Sequence, residues 1–123
     1  MNALALNFTL LFPALVPLAA TPPAPDLDNG RRLYAACAAC HSPEAQPTAG
    51  PTLTGVVGRR AGTVPGFRYS RALKNARTTW DSSTLDSFLA DPQTALPGNA
   101  MPFPGLPDSK ERADVIAYLK TLK

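Results

Sequence analysis

The chain has 123 residues, 45% of them hydrophobic, with 14 prolines, 8 glycines and no low-complexity tract, which excludes a coiled coil, a repeat solenoid and a disordered tail. Twelve bases against nine acids give a net charge of +3 with no long basic run, which excludes a dedicated nucleic-acid binder. With the apolar start set aside, roughly a hundred residues remain to fold; a domain of that size has a thin core that a bulky cofactor would help to fill.

Residues 3–20, ALALNFTLLFPALVPLAA, are uncharged and end on small residues, and they predict an export leader (1–20) cleaved near Ala20. No Lys or Arg precedes the run, and its length is near the minimum for a membrane span, so an uncleaved anchor is the alternative. A stiff Pro-rich linker follows over 21–27, and the domain is expected over 28–123. Asp28 is the expected N-cap of a first helix that places Leu33, Tyr34 and Cys37 on one stripe. Prolines and glycines from Pro43 to Gly66 predict a long loop over 41–67. A short helix is expected after Ser70 and a second amphipathic helix over 82–90, where Leu85, Phe88 and Leu89 share a face and Pro92 ends the run. PGNAMPFPGLP, 97–107, can be neither helix nor central strand. Asp108 and Glu111 propose a capping box for a last helix with Val115, Ile116, Leu119 and Leu122 on one stripe. No strand pattern stands out, so the fold class is all-α, with three to five helices and long ordered loops.

Charge is unevenly spread. Arg59, Arg60, Arg68, Arg71, Lys74 and Arg77 lie in a stretch without acids, whereas 81–114 carries six acids and two bases. Such a field can orient docking, or it can simply keep the surface soluble.

The chemistry concentrates in Cys37-Ala-Ala-Cys40-His41, which holds both cysteines and the only histidine. Residues three apart on a helix lie side by side, so the two thiols can reach adjacent vinyl groups of one haem while the next imidazole lands near its iron. Three rival readings stand beside this one. A thioredoxin-like dithiol lacks its βαβ setting, a zinc site lacks a fourth ligand, and a plain disulfide gives His41 no role. For the position across the iron, bis-histidine ligation is impossible, and Met101 is the one methionine besides the initiator. Its place in the proline-locked loop favours ligation over core filling. Two filled axial positions would favour electron transfer over catalysis.

Over residues 28–123 the chain resembles class I cytochrome c of the mitochondrial and α-proteobacterial type. The resemblance rests on the attachment motif together with GPTLTGVVGRRAG (50–62), PGFRYS (65–70), Trp80, PGNAMPFPG (97–105) and DVIAYLK (114–120), in the family's order and spacing. It implies one haem c held by thioethers to Cys37 and Cys40, with axial ligands His41 and Met101 and an exposed edge near Cys37. It further implies that the Pro51 carbonyl accepts the His41 Nδ1 proton, that Arg59, Tyr69 and Trp80 surround a buried propionate, and that Gly30 and Tyr34 meet the last helix at Val115 and Tyr118. The implied function is a monomeric electron carrier in a bacterial periplasm. Its partners would be redox proteins: a quinol-oxidising complex or dehydrogenase as donor, a terminal oxidase as acceptor. The alternatives are a permanent cytochrome subunit of a periplasmic dehydrogenase, a haem protein whose Met101 dissociates for peroxidase or gas-binding chemistry, or a dithiol oxidoreductase. The chain departs from the family at Gln93, Thr94 and Ala100, where lysines or polar residues are usual. It departs again at Phe88 for a tyrosine and Leu73 for an asparagine, which implies a thinner distal hydrogen-bond network.

Overall fold

The first helix, α1 (Leu27–His41), opens at Asp26, whose carboxylate accepts the Asn29 N–H at 3.0 Å. This corrects the expected start at Asp28. Both aspartates are able to cap, and Asp26 takes the role because its own N–H donates to the buried Asp114 carboxylate at 2.7 Å, tying the helix start to the far end of the chain. Asp28 falls in the first turn instead, where a carboxylate favours the positive end of the helix dipole. The computed structural model describes residues 11–42 and 49–123. The first ten residues of the expected leader, and the loop residues Pro43 and Pro47, lie outside the described residues.

Among the described residues four further helices follow: α2 (Arg71–Asn75), α3 (Ser82–Ala90), α4 (Pro92–Ala95) and α5 (Ser109–Leu119). Ser70 caps α2, and a reciprocal Asp81–Thr84 box caps α3 with both bonds at 2.8 Å. These elements match the sequence expectations; α4 is an addition to them. Pro92 reads as the stop of α3, yet proline also suits the first position of a helix, where its missing N–H leaves nothing unpaired. Asp91 caps α4 by accepting the Thr94 N–H at 3.1 Å. At α5 only half of the expected box forms among the described residues: Asp108 accepts the Glu111 N–H at 2.9 Å. Leu122 lies past the helix end but still packs on the core, and its carbonyl accepts the Gly55 N–H at 2.8 Å.

Among the described residues the only β feature is one antiparallel bridge, Arg60–Thr79, flanked by the Trp80 N–H bond to the Arg59 carbonyl at 2.9 Å. The all-α class stands. Residues 11–25 form no regular structure, and Leu15 and Leu18 are 98% and 99% exposed, so this apolar stretch adds nothing to the core. No helix among the described residues is long and apolar enough to cross a membrane.

α1 and α5 cross at Gly30, where a Cβ would stand 2.1 Å from the Asp114 carbonyl oxygen, so only glycine lets the two backbones close. Tyr34 and Tyr118 stack beside the crossing with ring centroids 5.1 Å apart, as the resemblance implies. The Asp114 carboxylate, 1% exposed, accepts from Asp26 N, Asn29 Nδ2 and Lys110 Nζ. Lys110 first, then Asn29 and the Asp26 amide, hold its pKa down at about 2. A carboxyl depressed in the folded state contributes stability that is present above the unfolded value near 4 and is lost as pH falls through about 2. Melting curves of wild type and Asp114→Asn should therefore differ most above about pH 4 and converge towards pH 2. A gap that stays constant across this range would contradict the assignment.

Among the described residues nine apolar ones are buried: Val56, Ala61, Trp80, Leu85, Phe88, Leu89, Val115, Ile116 and Leu119. All of them except Ala61 and Ile116 also line one cavity of about 350 Å³. The core is a shell around a space, and that space positions the site.

Candidate functional site

Eight residues singled out from the sequence, Cys37, Cys40, His41, Pro51, Arg59, Tyr69, Trp80 and Met101, all line this cavity. They come from α1, the connection between α1 and α2, the approach to α3 and the proline-rich loop after α4. None is misplaced.

Cys37 and Cys40 sit one turn apart in the last half of α1, and His41 is its final residue. The Ser42 N–H closes the helix on the Ala38 carbonyl at 3.0 Å, which fixes where His41 projects. His41 Nδ1 lies 2.7 Å from the Pro51 carbonyl oxygen. A carbonyl only accepts, so Nδ1 carries the proton, which in the neutral ring leaves the Nε2 lone pair to bind a metal. Burial, then the nearby Cys40, push the Cys37 thiol up. A redox-active dithiol requires the opposite shift and a helix N-terminus, whereas these thiols lie near a C-terminus. The dithiol reading loses its physical basis.

Arg59 spans two backbone carbonyls, Nη2 to Thr52 at 2.8 Å and Nη1 to Thr54 at 3.2 Å. Partial burial lowers its pKa, with Tyr69 opposing, and it forms no ion pair among the described residues. The Tyr69 hydroxyl accepts the Val64 N–H at 3.1 Å and retains its own proton to donate. Trp80 is buried against Phe88, ring centroids 5.1 Å apart. Phe88 and Leu73 both face the cavity as hydrocarbon, so the departures from the family fall on its walls.

The cavity thus combines apolar walls, two thiols at helical spacing, one imidazole with an oriented lone pair, one thioether and one half-buried cation without an acid. That donor set fits haem c, which brings two thiol-reactive vinyl groups, an iron and acidic propionates to one apolar macrocycle. Sequence reasoning missed Phe67 and Phe103 on the cavity wall, because aromatic residues in loops carry no periodic signal. It also missed the buried Asn99 beside Met101.

A helical shell that binds haem through C-x-x-C-H is the class of molecule this site defines. The Cytochrome c family model matches residues 27–123. Cytochrome c2 of Rhodomicrobium vannielii is 43% identical over 119 residues, covering 95% of each chain. Cytochrome c2 iso-2 of Magnetospirillum molischianum is 50% identical over 91 residues, 73% of this chain and 94% of that one. Among solved structures, cytochrome cH from Methylobacterium extorquens superposes with a TM-score of 0.73 at 47% identity, covering 78% of this chain and 98% of its own. The chain belongs to the cytochrome c family. It is an electron-transfer protein that carries one haem c bound covalently through Cys37 and Cys40.

Proposed function

We propose that the protein is a non-enzymatic, His/Met-ligated carrier that moves single electrons between redox proteins in a bacterial periplasm. The observation that carries the reading is the His41–Pro51 bond of 2.7 Å, which presents Nε2 as a metal ligand in the same cavity that Met101 lines. Bound haem supplies a one-electron ferric/ferrous couple, and a thioether ligand favours the ferrous state and raises its potential. The chain's own residues then do the rest. His41, held in one tautomer by Pro51, and Met101 would hold the iron between them, Met101 keeping substrate from it, and the apolar walls exclude water. Arg59, Tyr69 and Trp80 would hold a propionate, whose charge would answer the Arg59 guanidinium, which has no acid beside it among the described residues. Residues 1–20 act as an export leader, supported by the exposure of Leu11, Phe12, Leu15, Val16 and Leu18.

The test is one preparation of protein matured with its haem and recovered from the periplasm. Its intact mass should equal the chain less about 20 residues plus one haem. Its ferric spectrum should show a sulfur-to-iron charge-transfer band, and its ferrous form should refuse carbon monoxide at neutral pH. Ready CO binding by the wild type would favour an open haem and a catalytic or gas-binding role; a full-length membrane-bound species would remove the leader.

Docking follows from the charge map. Arg60, Arg68, Arg71, Lys74 and Arg77 are exposed and form no ion pair among the described residues. Gln93, Thr94 and Ala100, by the Met101 loop, are exposed and uncharged. The basic stretch from Arg60 to Arg77, in which Arg68 lines the cavity, is therefore the surface that steers an acidic partner. Reduction of the ferric protein by an acidic-faced redox partner should slow about tenfold or more between ~10 mM and ~0.5 M salt, as the screening length shrinks from about 30 Å to a few. Arg68→Glu with Arg71→Glu should flatten that dependence. A salt-independent rate in the wild type would exclude steering by this surface.

A further inference from the structure

Met101 lies in a loop with no helix of its own, so something other than secondary structure must hold it against the cavity. The chain turns out of α4 through Leu96-Pro97-Gly98-Asn99, with the Asn99 N–H bonded to the Leu96 carbonyl at 3.1 Å and Gly98 at φ +86°. This is a type II turn, with proline and glycine at the positions that need them. Asn99, only 6% exposed, then reaches back into α4. Its Nδ2 donates to the Pro92 carbonyl at 2.8 Å and to the Leu96 carbonyl at 2.9 Å. Its Oδ1 accepts the Met101 N–H at 3.0 Å, and its own carbonyl accepts Gln93 Nε2 at 2.9 Å.

Both Nδ2 protons and the Oδ1 of the Asn99 amide are directed at backbone groups. Two donors close on α4 and the acceptor closes on the residue that carries the thioether, so the amide bridges the helix and the ligand loop. Aspartate supplies the acceptor but would face two carbonyl oxygens with a charge, and alanine supplies neither bond. We infer that Asn99 is the positioning residue for Met101, clamping the thioether's backbone to α4 and setting how readily the sulfur leaves the iron. The inference rests on Met101 being the axial ligand. Gln93 is a secondary strut that braces the same turn from the surface.

If the clamp holds the ligated state, its removal shifts the population towards the sulfur-off state, and any outside ligand for ferric iron binds more tightly by that factor. The probe is imidazole, titrated into ferric holoprotein, alongside thermal bleaching of the sulfur-to-iron band and helix melting on the same samples. Asn99→Ala should tighten imidazole binding on the order of tenfold or more, three hydrogen bonds being lost. Its band should also bleach well below the temperature at which the helices melt. Gln93→Ala, at an exposed position that does not threaten folding, should shift both readouts in the same direction by a smaller factor, and it decides the matter if Asn99→Ala does not fold. Imidazole affinities within threefold of wild type in each variant that folds, or band loss that coincides with helix melting, would overturn the inference while leaving Met101 as ligand. A wild-type spectrum without the band, unchanged in Met101→Ala, would bring down the ligand assignment itself and the clamp with it.

Discussion

Gly30→Ala is expected to destabilise the holoprotein by about 3 kcal/mol or more, a drop of at least roughly 12 °C in melting temperature for a domain of this size. The sign is informative, because the same change at an ordinary helix interior position favours the helix by up to about 1 kcal/mol. Here the new Cβ would meet the Asp114 carbonyl oxygen at 2.1 Å, its carbonyl carbon at 2.6 Å and the Tyr118 Cβ at 3.1 Å. None of these is the far end of a flexible side chain. Relief requires α1 and α5 to separate, which loosens the Tyr34–Tyr118 stack and stretches the bonds from Asp26 and Asn29 to Asp114. Packing loss then outweighs the gain in helix propensity. Denaturant unfolding of the purified holoprotein measures the effect, and a neutral or stabilising Gly30→Ala would mean that the helices do not approach as described.

Met101→Ala is expected to leave the haem in place, since Cys37 and Cys40 are untouched, while it abolishes the sulfur-to-iron band and opens the iron to carbon monoxide and imidazole. The reduction potential should fall by roughly 0.1–0.3 V, a substantial part of the ~0.8 V range that axial ligation commands. The substitution is clean because the Asn99 clamp holds the backbone of residue 101, not its side chain: the N–H bond at 3.0 Å survives the change. What is lost is the thioether alone. Spectroelectrochemistry of the two proteins decides the point, and equal potentials with equal spectra would remove Met101 from the iron.

Much of this molecule is legible in its sequence wherever a physical rule acts locally. Ser70 and Asp108 mark helix starts because their side chains satisfy N–H groups three residues on, and the second sits before a strongly periodic apolar run. The start of α1 was less legible, since Asp26 and Asp28 are both capable caps and the choice depends on Asp114, far along the chain. α4 spans four residues, too few to show a period, and its proline reads equally as an end or a beginning. The site divides the same way. C-x-x-C-H displays its chemistry in five residues, whereas Asn99 and Gln93 gain meaning only when a turn folds them onto α4. Long-range hydrogen bonds leave no trace in periodicity.

The buried apolar residues that face the cavity have a consequence for how such a protein can change. Val56, Trp80, Leu85, Phe88, Leu89, Val115 and Leu119 hold the chain together and also form the medium around the metal. A carrier with a separate core could adjust its voltage at one set of positions and its durability at another. In this chain the two properties share one set of side chains, so variants chosen for resistance to heat will drift in driving force. Those chosen for driving force will drift in lifetime.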